Sequence, residues 1–172
     1  MSQKYAPVAI FCYKRLKSTI KLLNSLKKDK ITKQTTAFFF VDYPKTTKDK
    51  NLVENVIREL VKKKIFKKKK IIFRKKNLGI KKNILNGVNY VFKKFDKIIV
   101  LEDDLEVSKN YLSITNKLLR IYKKDNKIFT LTGYSLPNRY LNKQNIDHNF
   151  YSCKRPSSWG WATWKNKWNI LS

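Results

Sequence analysis

The chain has 172 residues, 42% hydrophobic and 13% aromatic, with 40 Lys+Arg against 12 Asp+Glu and a formal charge of +28. That length suits one domain with a full core, residues 1–172, and the apolar share excludes a disordered chain despite the charge. No apolar stretch approaches the ~20 residues of a membrane span, and Cys12 and Cys153, without CxxC spacing, fit a reducing cytoplasm.

Short apolar runs alternate with amphipathic stretches. Val8–Cys12 predicts a buried strand, after which Leu16, Ile20, Leu22, Leu23 and Leu26 follow helical spacing. Residues 37–41 (Ala-Phe-Phe-Phe-Val) predict a second strand, closed by Asp42 and Pro44. Leu52, Val53, Val56, Ile57, Leu60 and Val61 mark a second helix. The dense run Lys62–Lys64 and Lys67–Lys70 reads as a solvated helix end and turn before a third strand, Ile71–Phe73. Ile80, Ile84, Leu85, Val88, Val91, Phe92 and Phe95 form the cleanest helical stripe. Ile98–Leu101 predicts a fourth strand, Ser108 a cap for the helix carrying Leu112, Thr115, Leu118, Leu119 and Tyr122, and Ile128–Leu131 a fifth strand. The pattern then dissolves from Gly133 through Asn149, and an aromatic tail, Ser157–Trp164, follows.

Alternation of strand and helix predicts an α/β fold with a mainly parallel sheet and helices on both faces. Ligands of such sheets bind outside the carboxyl ends of the strands. Arg15, Asp42, Asn77 and the triplet Glu102-Asp103-Asp104 all fall just after predicted strands.

The triplet stands out because it holds a quarter of all acidic side chains in a basic chain. Adjacent carboxylates repel, and hard oxygen donors suit Mg²⁺ or Mn²⁺, which a diphosphate could share. The plainer alternative is an acid-decorated turn. Asp42 is open to two readings, a ribose or base contact or a cap on the turn before Pro44. Arg15 either meets phosphate or a base, or is a solvated arginine in a first helical turn. Gly79 permits close ligand approach or simply a turn. Trp159, Trp161, Trp164 and Trp168 can stack on sugars or seal a core. His148, the single histidine, reads as an inert loop residue. There is no Walker loop and no GxGxxG. Only six basic residues are arginine, so the lysine excess reads as compositional bias and solubility, with attraction to anionic partners (nucleotides, acidic glycans or a negatively charged membrane face) beside it.

Residues 6–15, 38–42, 74–80, Leu101–Glu106 and 158–164 (Ser-Trp-Gly-Trp-Ala-Thr-Trp) together resemble the GT-A nucleotide-sugar glycosyltransferases. The likeness is strongest to N-acetylglucosaminyltransferase I and to bacterial family 2-like sugar transferases. The resemblance implies a Rossmann-like three-layer sandwich that transfers a sugar from a nucleotide-diphosphate donor, with UDP-sugar expected, to a hydroxyl of a glycan or lipid-linked glycan. It implies that Asp104, in that family's version of the DXD motif, binds Mn²⁺ or Mg²⁺. Glu102 and Asp103 would hold ribose and donor sugar, Arg15 and Asp42 would surround uracil, and Trp161 would line the donor and acceptor site. The family's catalytic base is an Asp beyond the tryptophan segment, and no acid follows Asp147 here. The base is therefore expected beyond Ser172, in a C-terminally truncated domain that binds donor with little transfer. Meanwhile Met1–Pro7 carries no signal pattern, and a cytoplasmic protein without nucleic-acid partners, peripheral to the inner membrane surface at most, is expected. The competing reading, a lysine-driven nucleic-acid binder, predicts steep salt dependence and indifference to Mn²⁺.

Overall fold

The computed structural model describes residues 4–134 and 150–171. Positions 1–3, 135–149 (His148 among them) and Ser172 lie outside the described residues. The elements run β1 (Val8–Cys12), α1 (Leu16–Lys27), β2 (Thr36–Val41), α2 (Thr47–Lys62), β3 (Lys68–Phe73), α3 (Gly79–Phe92), β4 (Lys97–Glu102), α4 (Tyr111–Ile121), β5 (Thr130–Thr132), β6 (Trp161–Trp164) and α5 (Lys165–Leu171). The sheet order is β3-β2-β1-β4-β6-β5. The first four of these strands pair in parallel, and β6 runs antiparallel to both β4 and β5.

Parallel strands covered on both faces need unbroken apolar sequence, and β1 and β2 are buried at every residue. Alternate side chains divide them between two cores. Val8, Ile10, Phe39 and Leu101 face α1, α2 and α4. Ala9, Phe11, Phe40 and Val100 face α3, with Trp168 of α5 packed beside them. The result is a three-layer α/β sandwich. On the α3 side Phe11 stacks on Phe40 with ring centroids 5.1 Å apart. Gly87 makes that approach possible, since a Cβ there would sit 2.5 Å from the Phe11 ring.

Four expectations are corrected. Lys68–Lys70 belong to a strand, not a turn; β3 is one edge of the sheet, where lysines deter pairing with another chain. The fifth strand starts at Thr130 and does not neighbour β4, because the aromatic tail enters between them as β6. The stripe of α3 is less regular than its apolar residues imply, with Ile80 and Leu85 exposed while Asn83 and Gly87 are buried. Ser108 does not cap α4 through its side chain. Instead the buried Asp29, from the turn after α1, accepts the Ser113 N–H at 2.9 Å and the Ser113 hydroxyl at 2.6 Å.

Candidate active site at the carboxyl ends of β1, β2 and β4

The parallel register carries β1 and β4 side by side as far as Phe11 and Glu102, and the ladder continues with the Asp103 N–H bonded to the Phe11 carbonyl. That contact points the Asp103 carboxylate beneath the loop after β1. One oxygen accepts the Tyr13 N–H at 2.9 Å. The other accepts Arg15 Nε at 2.9 Å and lies 2.6 Å from a second guanidinium nitrogen. Asp103 is only 1% exposed. Burial pushes its carboxyl above the usual range, while the Tyr13 N–H and Arg15 pull it back. Arg15 reaches further with its remaining nitrogen, 2.9 Å from Asp104, whose side chain is 45% exposed. Burial lowers the Arg15 guanidinium, but the hydrogen bond and charge of Asp103, then the charges of Asp104 and Glu102, raise it overall. Glu102 is half-buried, and its acidity is weakened first by burial and then by repulsion from Asp104.

The loop carrying Arg15 is held from its other side by Asp49, in the first turn of α2. Asp49 accepts from Lys14 at 2.7 Å, from the Tyr13 hydroxyl at 3.0 Å and from Thr46 within a capping box. Lys14 and Thr46, opposed by burial and joined by Tyr13, hold the Asp49 carboxyl down at about 2 from its ordinary 3.8. A carboxylate with a lowered folded-state value stabilises the fold above about pH 3.8, and that contribution disappears as pH falls toward 2. Thermal melts of the wild type and Asp49→Asn over that window should therefore converge at the acid end. Parallel curves throughout would show that Asp49 does not clamp the loop.

Asp42 ends β2, next to β1 in the sheet. It is buried, and its oxygens accept the N–H groups of Tyr43, Leu78 and Gly79, each at 2.9 Å. Of the two readings open for it, a turn cap is present, yet the segment chiefly held is the entry to α3 rather than the turn at Pro44. Gly79 takes φ +70° there with open space around its Cβ position, so the glycine serves backbone conformation. Arg74, just past β3, donates to Asn83 at 2.8 Å and lies over the Phe40 ring at 5.0 Å. Burial lowers its guanidinium and the Asp42 charge raises it. Sequence reading missed Arg74 as a site residue; its one signal was an arginine among lysines at a strand end.

The structure thus brings Arg15, Asp103 and Asp104 into contact, with Glu102 beside them and Asp42 two strands away beyond β1. Trp161 sits opposite Val100 at the same end of the sheet, but its half-buried ring packs into the core and stacks on Trp168 at 5.8 Å. Trp159, 56% exposed and edge-on to Tyr134 at 4.7 Å, is the open aromatic of the segment. The catalytic base expected beyond Ser172 lies outside the described residues, and no side chain of this site is assigned that role.

Residues 8–167 match the model of Glycosyl transferase family 2. The chain belongs to that family. No curated protein sequence matches it. Among solved structures it is similar to residues 1–349 of TarS from S. aureus, with TM-score 0.51 and 15% identity over 76% of this chain and 38% of that one. It is also similar to the mannosyltransferase PcManGT from Pyrobaculum calidifontis in complex with GDP-Man and Mn²⁺, with TM-score 0.50 and 9% identity over 76% of this chain and 36% of that one. The chain spans well under half the length of either. The sandwich is the GT-A fold of the family.

For a family 2 chain the acidic triplet invites a test against a divalent cation. Among the described residues no three carboxylate, histidine or cysteine side chains converge on one point. Asp103 is the reason, since both its oxygens turn inward to Tyr13 and Arg15. Two carboxylates remain, that of Asp104, exposed and paired with Arg15, and that of Glu102, half-buried with no side-chain hydrogen bond among the described residues, and they repel each other. Hard oxygens from one or two carboxylates, the rest from water and phosphate, are what Mg²⁺ and Mn²⁺ accept. The donor set fits.

Proposed function

We propose that this chain is the donor-binding GT-A domain of a glycosyltransferase. It would move a sugar from a nucleotide diphosphate, a UDP-sugar in our reading, to a hydroxyl of a glycan or lipid-linked glycan in the cytoplasm. The arrangement that carries this reading is Arg15 spanning Asp103 and Asp104 at the carboxyl end of β4, in a family 2 fold. Arg15 offers a fixed cation to a diphosphate or a face to a base. Asp103 would act through Arg15, holding its guanidinium in place. Asp42 orders the entry to α3, where a ribose or base would lie, and keeps unused acceptor capacity on its second oxygen. Glu102 and Asp104 would hold Mn²⁺ or Mg²⁺, which would supply Lewis-acid neutralisation of the diphosphate's charge. The Mn²⁺ found in the PcManGT complex supports that choice.

Calorimetry with UDP and with GDP, each with and without Mn²⁺, tests the proposal. UDP is expected to bind in the presence of Mn²⁺, and Asp104→Ala to weaken that binding by at least about tenfold, or 1.4 kcal/mol. Binding that ignores both the metal and the substitution would overturn it.

A further inference from the structure

A hollow of about 920 Å³ opens at the amino ends of the parallel strands, the pole opposite the Arg15 cluster. Tyr5 and Pro7 precede β1 there, Thr36 opens β2, Lys68 opens β3 and Lys97 opens β4. Seven lysines line it against one acid, Asp96, and that acid is drawn aside by Lys123 at 3.6 Å. Two of the lysines are internally committed. Lys69 caps the end of α2, donating to the carbonyls of Leu60, Val61 and Lys63 at 2.6–2.8 Å. Lys70 bonds the Tyr90 hydroxyl and lies over its ring. By contrast, the ammonium groups of Lys67, Lys68, Lys94 and Lys97 meet no carboxylate or hydrogen-bond acceptor among the described residues.

The topology concentrates charge around this hollow. Helices of a parallel sheet return against the strands, so their carboxyl-terminal ends, which favour cations, gather at the strands' amino ends. Lys27–Lys28, Lys62–Lys64 and Lys93–Lys94 all arrive there. The Tyr90 hydroxyl sits beside Lys70 in this hollow. The Lys70 hydrogen bond, then the charges of Lys70, Lys94 and Lys93, make it more acidic than an ordinary tyrosine, against the effect of burial. Apolar surface stands in the same hollow, where Tyr5 and Phe95 are partly exposed.

We propose that this pole docks on a membrane surface carrying anionic lipid, with headgroup phosphates drawn into the lysine-lined hollow. The proposal is independent of the sugar-transfer reading. Lysine alone among the basic residues faces the hollow, and a compact hydrated ammonium suits a diffuse anionic plane. Nucleic-acid readout relies on the planar arginine fork, which is absent from this rim. Partly exposed Tyr5 and Phe95 among the lysines supply the apolar contact that an interfacial protein uses.

The test is co-sedimentation of the chain with vesicles of phosphatidylcholine alone and of phosphatidylcholine with added phosphatidylglycerol. Binding is expected only to the anionic vesicles and should be released by salt. Each lysine near such a surface contributes about fivefold, so Lys67→Gln/Lys68→Gln/Lys94→Gln/Lys97→Gln should weaken binding by at least about a hundredfold. A variant with the same charge change elsewhere, Lys21→Gln/Lys50→Gln/Lys109→Gln/Lys117→Gln, should stay much closer to wild type. Thermal melts show whether both variants fold. If they do and lose binding equally, net charge alone is responsible and the site is refuted. Displacement by soluble glycerol phosphate at concentrations matching the lipid headgroups would assign the hollow to a free anion instead. Tighter binding of a single-stranded RNA oligonucleotide through the same four lysines would also overturn the membrane assignment.

Discussion

Asp103→Ala is expected to destabilise the fold by about 3 kcal/mol, the lower end of what breaking a buried ion pair costs. The carboxylate is 1% exposed and answers the Tyr13 N–H and two guanidinium nitrogens. Removing it leaves a backbone donor under the β1 loop without a partner and frees the arginine from its anchor. The loss stays at the lower end because the Arg15 side chain is 49% exposed and water can take over part of its solvation. Asp103→Asn should lie between the two, since the amide keeps the volume but brings one N–H group toward other donors. Asp104→Ala makes the informative contrast. Its carboxylate is half exposed and, among the described residues, pairs only with Arg15, so urea denaturation should show a change under about 1 kcal/mol while nucleotide binding suffers. Equal losses of stability at the two positions would mean that neither acid has the specialised role assigned here.

Much of this arrangement can be read from the chain because buried parallel strands announce themselves as apolar runs. Val8–Cys12 agrees with β1 residue for residue, and Glu102–Asp104 is conspicuous for following such a run. Where apolarity misleads, a different force is in control. Lys68–Lys70 form half of β3 because an edge strand needs partners on one side only and tolerates charge on the other. β6 has four residues, three of them aromatic or threonine, too short for any period to register. Its insertion between β4 and β5 is a choice of tertiary pairing that local sequence does not encode. The pairings that build the site are equally invisible. Arg15 and Asp103 are 88 positions apart, and nothing in either neighbourhood names the other. The same holds for Asp29, which serves a helix 84 positions downstream. Charge counting also conceals a polarity. The acids Asp42, Asp49 and Glu102–Asp104 stand at the carboxyl ends of the strands, while unpaired lysines collect at the amino ends.

That polarity leaves the tryptophan segment as the element whose role the fold redefines, and Trp164→Ala is expected to reveal it with a loss of about 3–5 kcal/mol. Trp164 is 2% exposed, and its indole N–H donates to the Leu119 carbonyl at 3.0 Å near the end of α4. The ammonium of Lys167 lies 3.9 Å from the centre of its ring. That lysine is itself buried, and it donates to the carbonyls of Tyr122, Asp125 and Ile128. Truncating the indole therefore opens a cavity, strands one carbonyl and removes the aromatic face from a buried cation whose charge burial already disfavours. Trp159→Ala offers the opposite case, because an indole 56% exposed has little packing to lose. Its melting temperature should stay near wild type. A ring free of the core and standing at the carboxyl end of the sheet is available to stack on a sugar, so any defect in Trp159→Ala should fall on ligand binding. Chemical denaturation of the two variants side by side separates the roles. A stable Trp164→Ala would mean that β6 is not the core strand that joins the parallel sheet to β5.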